Sequence, residues 1–501
     1  MRKFPAISLY CSNLPIPIFI IILLGLGIYE LQIGFTQWYY HILRGNIIGG
    51  WISGSFENPG PYGGFLAFVF PFALYVSLNQ KTLPLSASNN RQKIFKRILL
   101  FLAWLNTIGI LVLLPITQCR TAWLAIIISS IYIIGLNKIK SYWKSIRPQW
   151  QIVSLCTFCI ILFIGALGIY QLKADSADGR LLIWKIALQP LTEYGLTGSG
   201  FGSFAKVYGD AQAHYFEQQT RPEREQMLVG APEFCYNEYL QIGIEQGVVG
   251  LLIFLGFIFL AFKNIRHCQI WGAKAYGGAL TSILVLACFS YPFRINSLLL
   301  LSIFIITTML CFPIKNRNIS TIITLCVTLI ACYSLGIIGH PIHRQANEYW
   351  KKLQAYFYQG EFETISEKYA LLYPYLSKEP SFLFEYGQCL SQTGQYEKSN
   401  EILEKGTHYS SDPMFFNIMG KNYQQLKQYD KAEYMFYQAI YRIPHKLYPY
   451  YLLMKMYIES NQIKKATEIA KTIIRKKLKV ESIHTNKMKK EAQEFLSSAY
   501  Q

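Results

Sequence analysis

Two arginines stand where a charge is unexpected. Arg120 lies between the apolar runs LVLLPITQC and TAWLAIII. A guanidinium at that depth is costly in hydrocarbon and is functional by default, although a side chain snorkelling to the interface gives the same pattern. Arg294, after Tyr291-Pro292-Phe293, fits the snorkelling reading better. The segment GRLLIWKIALQPL (179–191) reads as an amphipathic helix, with Arg180 and Trp184 four residues apart on one face. GLTGSGFGSF (195–204) follows. Its Gly195, Gly198, Gly200 and Gly202 permit tight turns and bare N–H groups that can cup an anion, though such a stretch is more often just a turn. Guanidinium forks match phosphate oxygens in pairs. Two arginines and a glycine nest therefore fit a diphosphate bound without metal. There is no HExxH and no His or carboxylate set with ligand spacing, so neither metal nor cofactor is expected.

The elements that must position these residues are membrane helices. Of 501 residues, 52% are hydrophobic, and runs such as LPIPIFIIILLGLGIYEL (14–31) are rare in soluble proteins. Runs of roughly 18 apolar residues cross the ~30 Å hydrocarbon core, and a lone strand cannot satisfy its backbone there. Nine spans are predicted, near 15–33, 63–79, 98–117, 121–137, 151–171, 240–262, 275–291, 296–313 and 319–338. Arg2 and Lys3 precede the first run, which reads as an uncleaved span because no small-residue cleavage site follows it. No mid-span acidic residues or broken paired helices of a transporter are read.

Orientation follows from the basic loops. Residues 80–97, 138–149, 263–274 and 314–318, with the N-terminus, hold clustered Lys and Arg, whereas 172–239 is mixed. With nine spans every basic loop falls on one side. The N-terminus is then cytosolic, and the 172–239 loop and the C-terminal region extracytoplasmic. The same loops account for the net charge of +19, which has no nucleic-acid recognition motif beside it. Most of the eleven cysteines lie in apolar runs, including a C-x2-C at Cys156 and Cys159, and are read as packing residues. A loop as long as 172–239 is usually functional.

The chain divides into a membrane domain, 1–340, and a helical-repeat domain, 346–501. The latter shows the ~34-residue period of tetratricopeptide (TPR) repeats. Turns recur at Gln359-Gly360-Glu361-Phe362, Gly394-Gln395-Tyr396, Lys427-Gln428-Tyr429 and Asn461-Gln462-Ile463, with small residues at Ser399, Ala432 and Ala466. Pro444 ends the clearest unit, 412–444. Stacked repeats of this kind usually bind a peptide or protein, although a plain helical-hairpin array with no partner reads the same way. The fold class is thus all-α: a polytopic transmembrane bundle followed by a TPR solenoid.

Four segments together resemble the O-antigen ligase family, the Wzy_C superfamily, in a form with a TPR tail: FENPGPYGGFLAF (56–68), CRTAWLA (119–125), GRLLIWKIALQPLTEYGLTGSGFGSF (179–204) and YNEYLQIGIEQGVVG (236–250). The resemblance implies a GT-C-like glycosyltransferase of the bacterial inner membrane. It would take a glycan from undecaprenyl diphosphate, at the periplasmic face, to a hydroxyl of lipid A-core, a protein or a growing glycan. Carried over, Arg120 and Arg180 hold and neutralise the diphosphate leaving group, and Gly198, Gly200 and Gly202 shape its pocket, with Trp184 and Asn237 beside substrate. The family's general base is a His before the Asn of the last segment, where this chain has Tyr236. A neutral phenol, unperturbed pKa ~10, is a poor base. Glu233, Glu238 or His214 serves instead, or the reaction needs little base help, or the activity is lost or changed. The family often has more N-terminal spans, so a truncated gene model or a shortened variant is also expected. A repeat-unit polymerase of the same superfamily and a non-catalytic membrane-anchored TPR scaffold are the competing readings.

Overall fold

The computed structural model describes residues 15–45, 51–83, 90–135, odd positions from 141 to 149, 174–219, 221–266, 268, 270–314, 316–334 and 341–499. Among these, all regular structure is helical. The expected span 151–171 lies outside the described residues.

The chain forms two compact units. The first comprises residues 1–169, 236–238 and 252–338. Its helices are α1 (Pro15–Leu43), α2 (Pro59–Leu78), α3 (Asn90–Ile116) and α4 (Arg120–Ile134), then α9 (Ala273–Phe289), α10 (Asn296–Cys311) and α11 (Arg317–Ser334). The helix at the unit boundary is α8 (Glu238–Arg266). Four of these, starting at Ile18, Pro59, Lys93 and Glu238, are long and apolar enough to cross a membrane, and four shorter apolar helices accompany them. That pattern is consistent with a multi-pass membrane bundle. Helix α1 runs ten residues beyond its expected end at 33, because GFTQWYYHIL contains no proline to stop it.

The α2 helix starts where Asn58 caps it, its side chain accepting from the Gly60 N–H, with Pro59 at the first position. It is apolar on every face, and 83% of its most apolar window is buried, as expected of a helix surrounded by others. Helices α1, α3, α4 and α9 pack around it. Gly63 lets α4 approach closely: a Cβ there would lie 2.7 Å from the Cys119 Cβ. The outward faces of α1 and α3 carry exposed Ile22, Leu26, Ile98, Phe101 and Ile108. Such an apolar surface suits lipid rather than water.

The second unit comprises residues 170–235, 239–251 and 339–501. Here the sequence expectation of a largely irregular 172–239 loop with one helix is corrected. Three helices form: α5 (Ala174–Tyr194), α6 (Phe204–Gln218) and α7 (Glu223–Leu228). Helix α6 is built on Phe204, Tyr208, Ala211 and Phe216, a spacing that buries one face.

The rest of this unit is a row of antiparallel helix pairs, from α12 (Pro341–Gln359) and α13 (Phe362–Leu376) to α20 (Ile483–Ala499). The intervening helices are α14 (Pro380–Gln392), α15 (Tyr396–Thr407), α16 (Pro413–Gln425), α17 (Tyr429–Arg442), α18 (Tyr448–Glu459) and α19 (Ile463–Arg475). Gly360, Gly394, Lys427 and Asn461 all have positive φ. At each, the next residue's N–H returns to a carbonyl five residues back, as in Glu361 to Tyr356 and Gln428 to Tyr423. That is the helix-ending Schellman geometry, repeated four times. Ser399, Ala432 and Ala466 are fully buried where neighbouring helices meet.

The array packs on α6 and α7 through polar contacts. Arg442 pairs with Asp210 and lies 3.9 Å from the Phe416 ring centre. Gln212 donates to the carbonyls of Gly230 and Arg442, and His445 Nδ1 lies 2.8 Å from the Gln226 carbonyl. Ile443 joins the apolar core of the loop helices.

Candidate functional site

In the first unit, Arg120 opens α4 immediately after a tight turn. The turn is held from both sides. Trp123 donates its indole N–H to the Leu114 carbonyl at 3.0 Å, and the Cys119 N–H reaches the Thr117 hydroxyl at 3.3 Å. The Cys119 thiol sits 3.7 Å from the Gly60 carbonyl, at the start of α2. The residues of CRTAW thus fix where the Arg120 backbone emerges from the bundle.

Tyr236 carries φ 55°. A left-handed backbone at an aromatic residue persists only where surroundings over-determine it, and such residues cluster at functional sites. Its ring meets Tyr291 edge-on at 5.4 Å. Two residues on, the buried Glu238 carboxylate accepts the Phe293 N–H at 2.8 Å. The segment at 236–238 is therefore tied to the Tyr291–Arg294 turn, with Asn237 between its two anchors.

Of the three candidate bases weighed from sequence, Glu238 is buried with its carboxylate on the 291–294 turn. Of the other two, His214, exposed on α6, contacts Gln218 at 2.7 Å, and Glu233 is exposed.

In the second unit, Arg180 lies on α5, half-buried. Trp184, one turn on, donates its indole N–H to the Cys235 carbonyl at 2.9 Å. The Cys235 N–H in turn reaches Gln241, which bonds Glu245 at 3.0 Å. Trp184 therefore secures the chain that leads into Tyr236; its N–H is engaged with the backbone rather than presented to a substrate.

The glycine segment is a backbone clasp. Gly198, Gly200 and Gly202 have φ of 78°, 106° and 77°. The N–H groups of Ser199 and Gly200 donate to Ile244 and Glu245 carbonyls at 2.9 Å, and Gly198 donates to Tyr194 at 3.0 Å. Val248 returns a bond to Gly195 at 3.0 Å. Opposite them α8 breaks at Gly247, φ 70° and ψ −177°. A Cβ at Gly247 would lie 2.0 Å from the Leu196 oxygen, and one at Gly198 2.4 Å from the Glu245 oxygen. The expected bare N–H groups of Gly198 and Gly200 are thus occupied. Glycine is required there because two backbones touch.

Sequence reasoning also overlooked Glu30. It is an acidic residue within the apolar helix α1 and is 6% exposed, contrary to the reading that no acidic residue lies mid-span. Its isolation within LGLGIYELQIG was the available signal. Among the described residues no group of His, Cys, Asp or Glu is arranged to hold a metal ion.

Comparison with known proteins bears on these residues. Residues 105–255 match the family model described as O-Antigen ligase. The matched stretch contains Arg120, Arg180, the glycine clasp and Tyr236. A Rickettsia felis protein carrying the name "Putative polysaccharide ligase" is 30% identical over 105 residues, 20% of this chain and 23% of that protein. The chain thus matches under a quarter of that relative's length. Over the region that holds its two distinctive arginines, the chain is similar to O-antigen ligases.

Proposed function

We propose that the protein is a glycan ligase, transferring a glycan from a polyprenyl (undecaprenyl) diphosphate to an acceptor hydroxyl at the outer face of the bacterial inner membrane. The observation that carries this reading is that Arg120 and Arg180 both fall inside the stretch similar to O-antigen ligases. On this reading the two guanidiniums neutralise the diphosphate as the bond from the anomeric carbon to the phosphate oxygen breaks. Donors aimed at developing charge are the largest usual contribution to such a step. Tyr236 and Asn237 line the acceptor side, positioned by the Tyr291–Arg294 turn. The helix pairs of 341–499 form a TPR-type solenoid on the periplasmic side, where they bind a protein.

The test is Arg120→Ala and Arg180→Ala in a deletion strain, with surface glycan read on gels. Each is expected to lower transfer about 10²-fold or more, the effect of removing one oxyanion donor, at normal protein level. Tyr236→Phe is expected to keep most activity, since the phenol is not the base. Accumulated polymer on lipid carrier supports a ligase. Single repeat units on the carrier would point to a polymerase. Unchanged glycan in both arginine variants would leave only a membrane-anchored scaffold.

A further inference from the structure

The loop that joins α19 to α20 lies in a strongly basic stretch. Residues 471–490 hold eight Lys and Arg residues against one acid, Glu481. At the tip of the loop Val480 is 74% exposed and Ile483 87%. Among the described residues of 341–499, Leu371 is the one other aliphatic side chain exposed to that degree. Single exposed apolar residues are ordinary on a protein surface. Two at one loop tip, flanked by lysines, are the pattern of a segment that lies in a membrane interface.

The loop holds its shape by bonds of its own. Lys476 donates to the Tyr450 hydroxyl at 3.1 Å, with its ammonium 4.3 Å from the ring centre. Lys489 donates to the Lys476 carbonyl at 2.9 Å. Ser482 and Thr485 cap α20 reciprocally: the Ser482 N–H reaches the Thr485 hydroxyl at 2.9 Å, and the Thr485 N–H reaches the Ser482 hydroxyl at 3.2 Å. Leu478 packs beneath, with Ile473 and Ala492. Leu478 and Lys476 thus serve the fold, whereas Val480 and Ile483 point away from it. Lys477 pairs with Glu223 of α7 at 3.3 Å, but both side chains are exposed and such a pair is weak. Lys446 and Lys479 both lie close enough to His445 for their charges to act on it, so positive charge gathers at this end of the array.

We propose that this loop is a membrane-docking element of the helix array: Val480 and Ile483 insert between the headgroups of an anionic phospholipid bilayer, and Lys477 and Lys479 meet the phosphates. Charge and shape select that occupant. Aliphatic side chains gain from the acyl boundary, and each Lys near an anionic surface strengthens binding about fivefold. A nucleic acid offers nothing to Val480 and Ile483, and residues 476–482 include no aromatic ring on which a base could stack. Docking of this kind is independent of glycan transfer: it fixes the array to a headgroup surface.

The test uses the full-length protein in nanodiscs of phosphatidylcholine, alone or mixed equally with phosphatidylglycerol. Amide exchange is read on peptides spanning 477–485. In wild type, phosphatidylglycerol is expected to slow exchange there about tenfold or more, from two lysines at about fivefold each, and to leave the peptide around Leu371 unchanged. Lys477→Gln with Lys479→Gln, and separately Val480→Asp with Ile483→Asp, are each expected to remove most of that slowing. All four side chains are exposed, so neither double variant touches the core, and unchanged exchange in α18 verifies this. Equal exchange in the two lipids, or equal slowing around Leu371, overturns the proposal. So does slowing that survives Val480→Asp with Ile483→Asp, which would leave only diffuse attraction between charges. Slowing by added poly-glutamate but not by phosphatidylglycerol would assign the patch to an acidic protein instead.

Discussion

Replacing Gly247 by alanine tests the backbone clasp directly. At φ 70° and ψ −177° this residue sits in a region essentially restricted to glycine, which costs a non-glycine residue about 1–3 kcal/mol. The added methyl would also lie 2.0 Å from the Leu196 oxygen and 2.7 Å from the Gly198 nitrogen. Backbone atoms cannot rotate away, so the segment must shift. Overpacking of this kind adds about 1–3 kcal/mol. The combined effect is roughly 2–6 kcal/mol, placed on the bonds from Ser199, Gly200 and Val248. The suitable assay is peptide-resolved amide exchange in detergent, because a multidomain membrane protein has no single unfolding free energy. Local opening made easier by ~2 kcal/mol speeds exchange about thirtyfold. Gly256→Ala is the control, in the same helix with nothing within 4 Å of its Cβ; it is expected to be neutral or slightly stabilising. Equal protection at 198–200 and 248 in Gly247→Ala and wild type would show that the clasp is not what glycine supplies there.

Two further predictions concern the second unit. Arg442 has a side chain 4% exposed, paired with the 55% exposed Asp210. Burial draws its pKa below the usual guanidinium value, and Asp210 opposes that shift. Asp210→Ala is therefore expected to lower stability by about 1–3 kcal/mol, read as earlier protease release of the C-terminal array. Asp210→Ala together with Arg442→Met is expected to recover part of that loss. His445 has its pKa lowered, chiefly by burial, with the cations of Lys479, Lys446 and Lys476 acting in the same direction and the Gln226 carbonyl opposing. Its folded pKa lies below the unfolded ~6.5, so its contribution is fully present above that value and is lost as pH falls from there through the folded pKa. Release of the array should become easier as pH drops below ~6.5, and His445→Gln should flatten that dependence.

Much of the architecture was legible because it rests on patterns of period and punctuation. The second span was expected from 63, and Asn58-Pro59 starts α2 four residues earlier; the four Schellman turns lie at Gly360, Gly394, Lys427 and Asn461, at the turns read from the repeat spacing. What escaped were features set by contacts distant in sequence. Helix α6 carries few strongly apolar residues and is stabilised by Ile443, from more than 200 residues later. The spacing of Phe204, Tyr208, Ala211 and Phe216 was the local signal for it. The glycines of 198–202 were visible, but a nest and a clasp demand the same residue type. Only the carbonyls of Ile244 and Glu245 decide between them. Glu30 was visible as well, and its setting depends on Ser55, from the following loop, and Tyr62, from α2.

The departure at Tyr236 gains meaning from this arrangement. A general base is needed most when the attacking hydroxyl must lose its proton before bond formation. If two guanidiniums stabilise the departing diphosphate, charge develops first on the leaving group and the demand on a base falls. A phenol then serves as an aromatic wall, and its contact with Tyr291 at 5.4 Å fits that use. The proton that is finally released still needs an acceptor. Glu238 lies two residues from Tyr236, and its bond from the Phe293 N–H takes one of the roughly four accepting sites of a carboxylate.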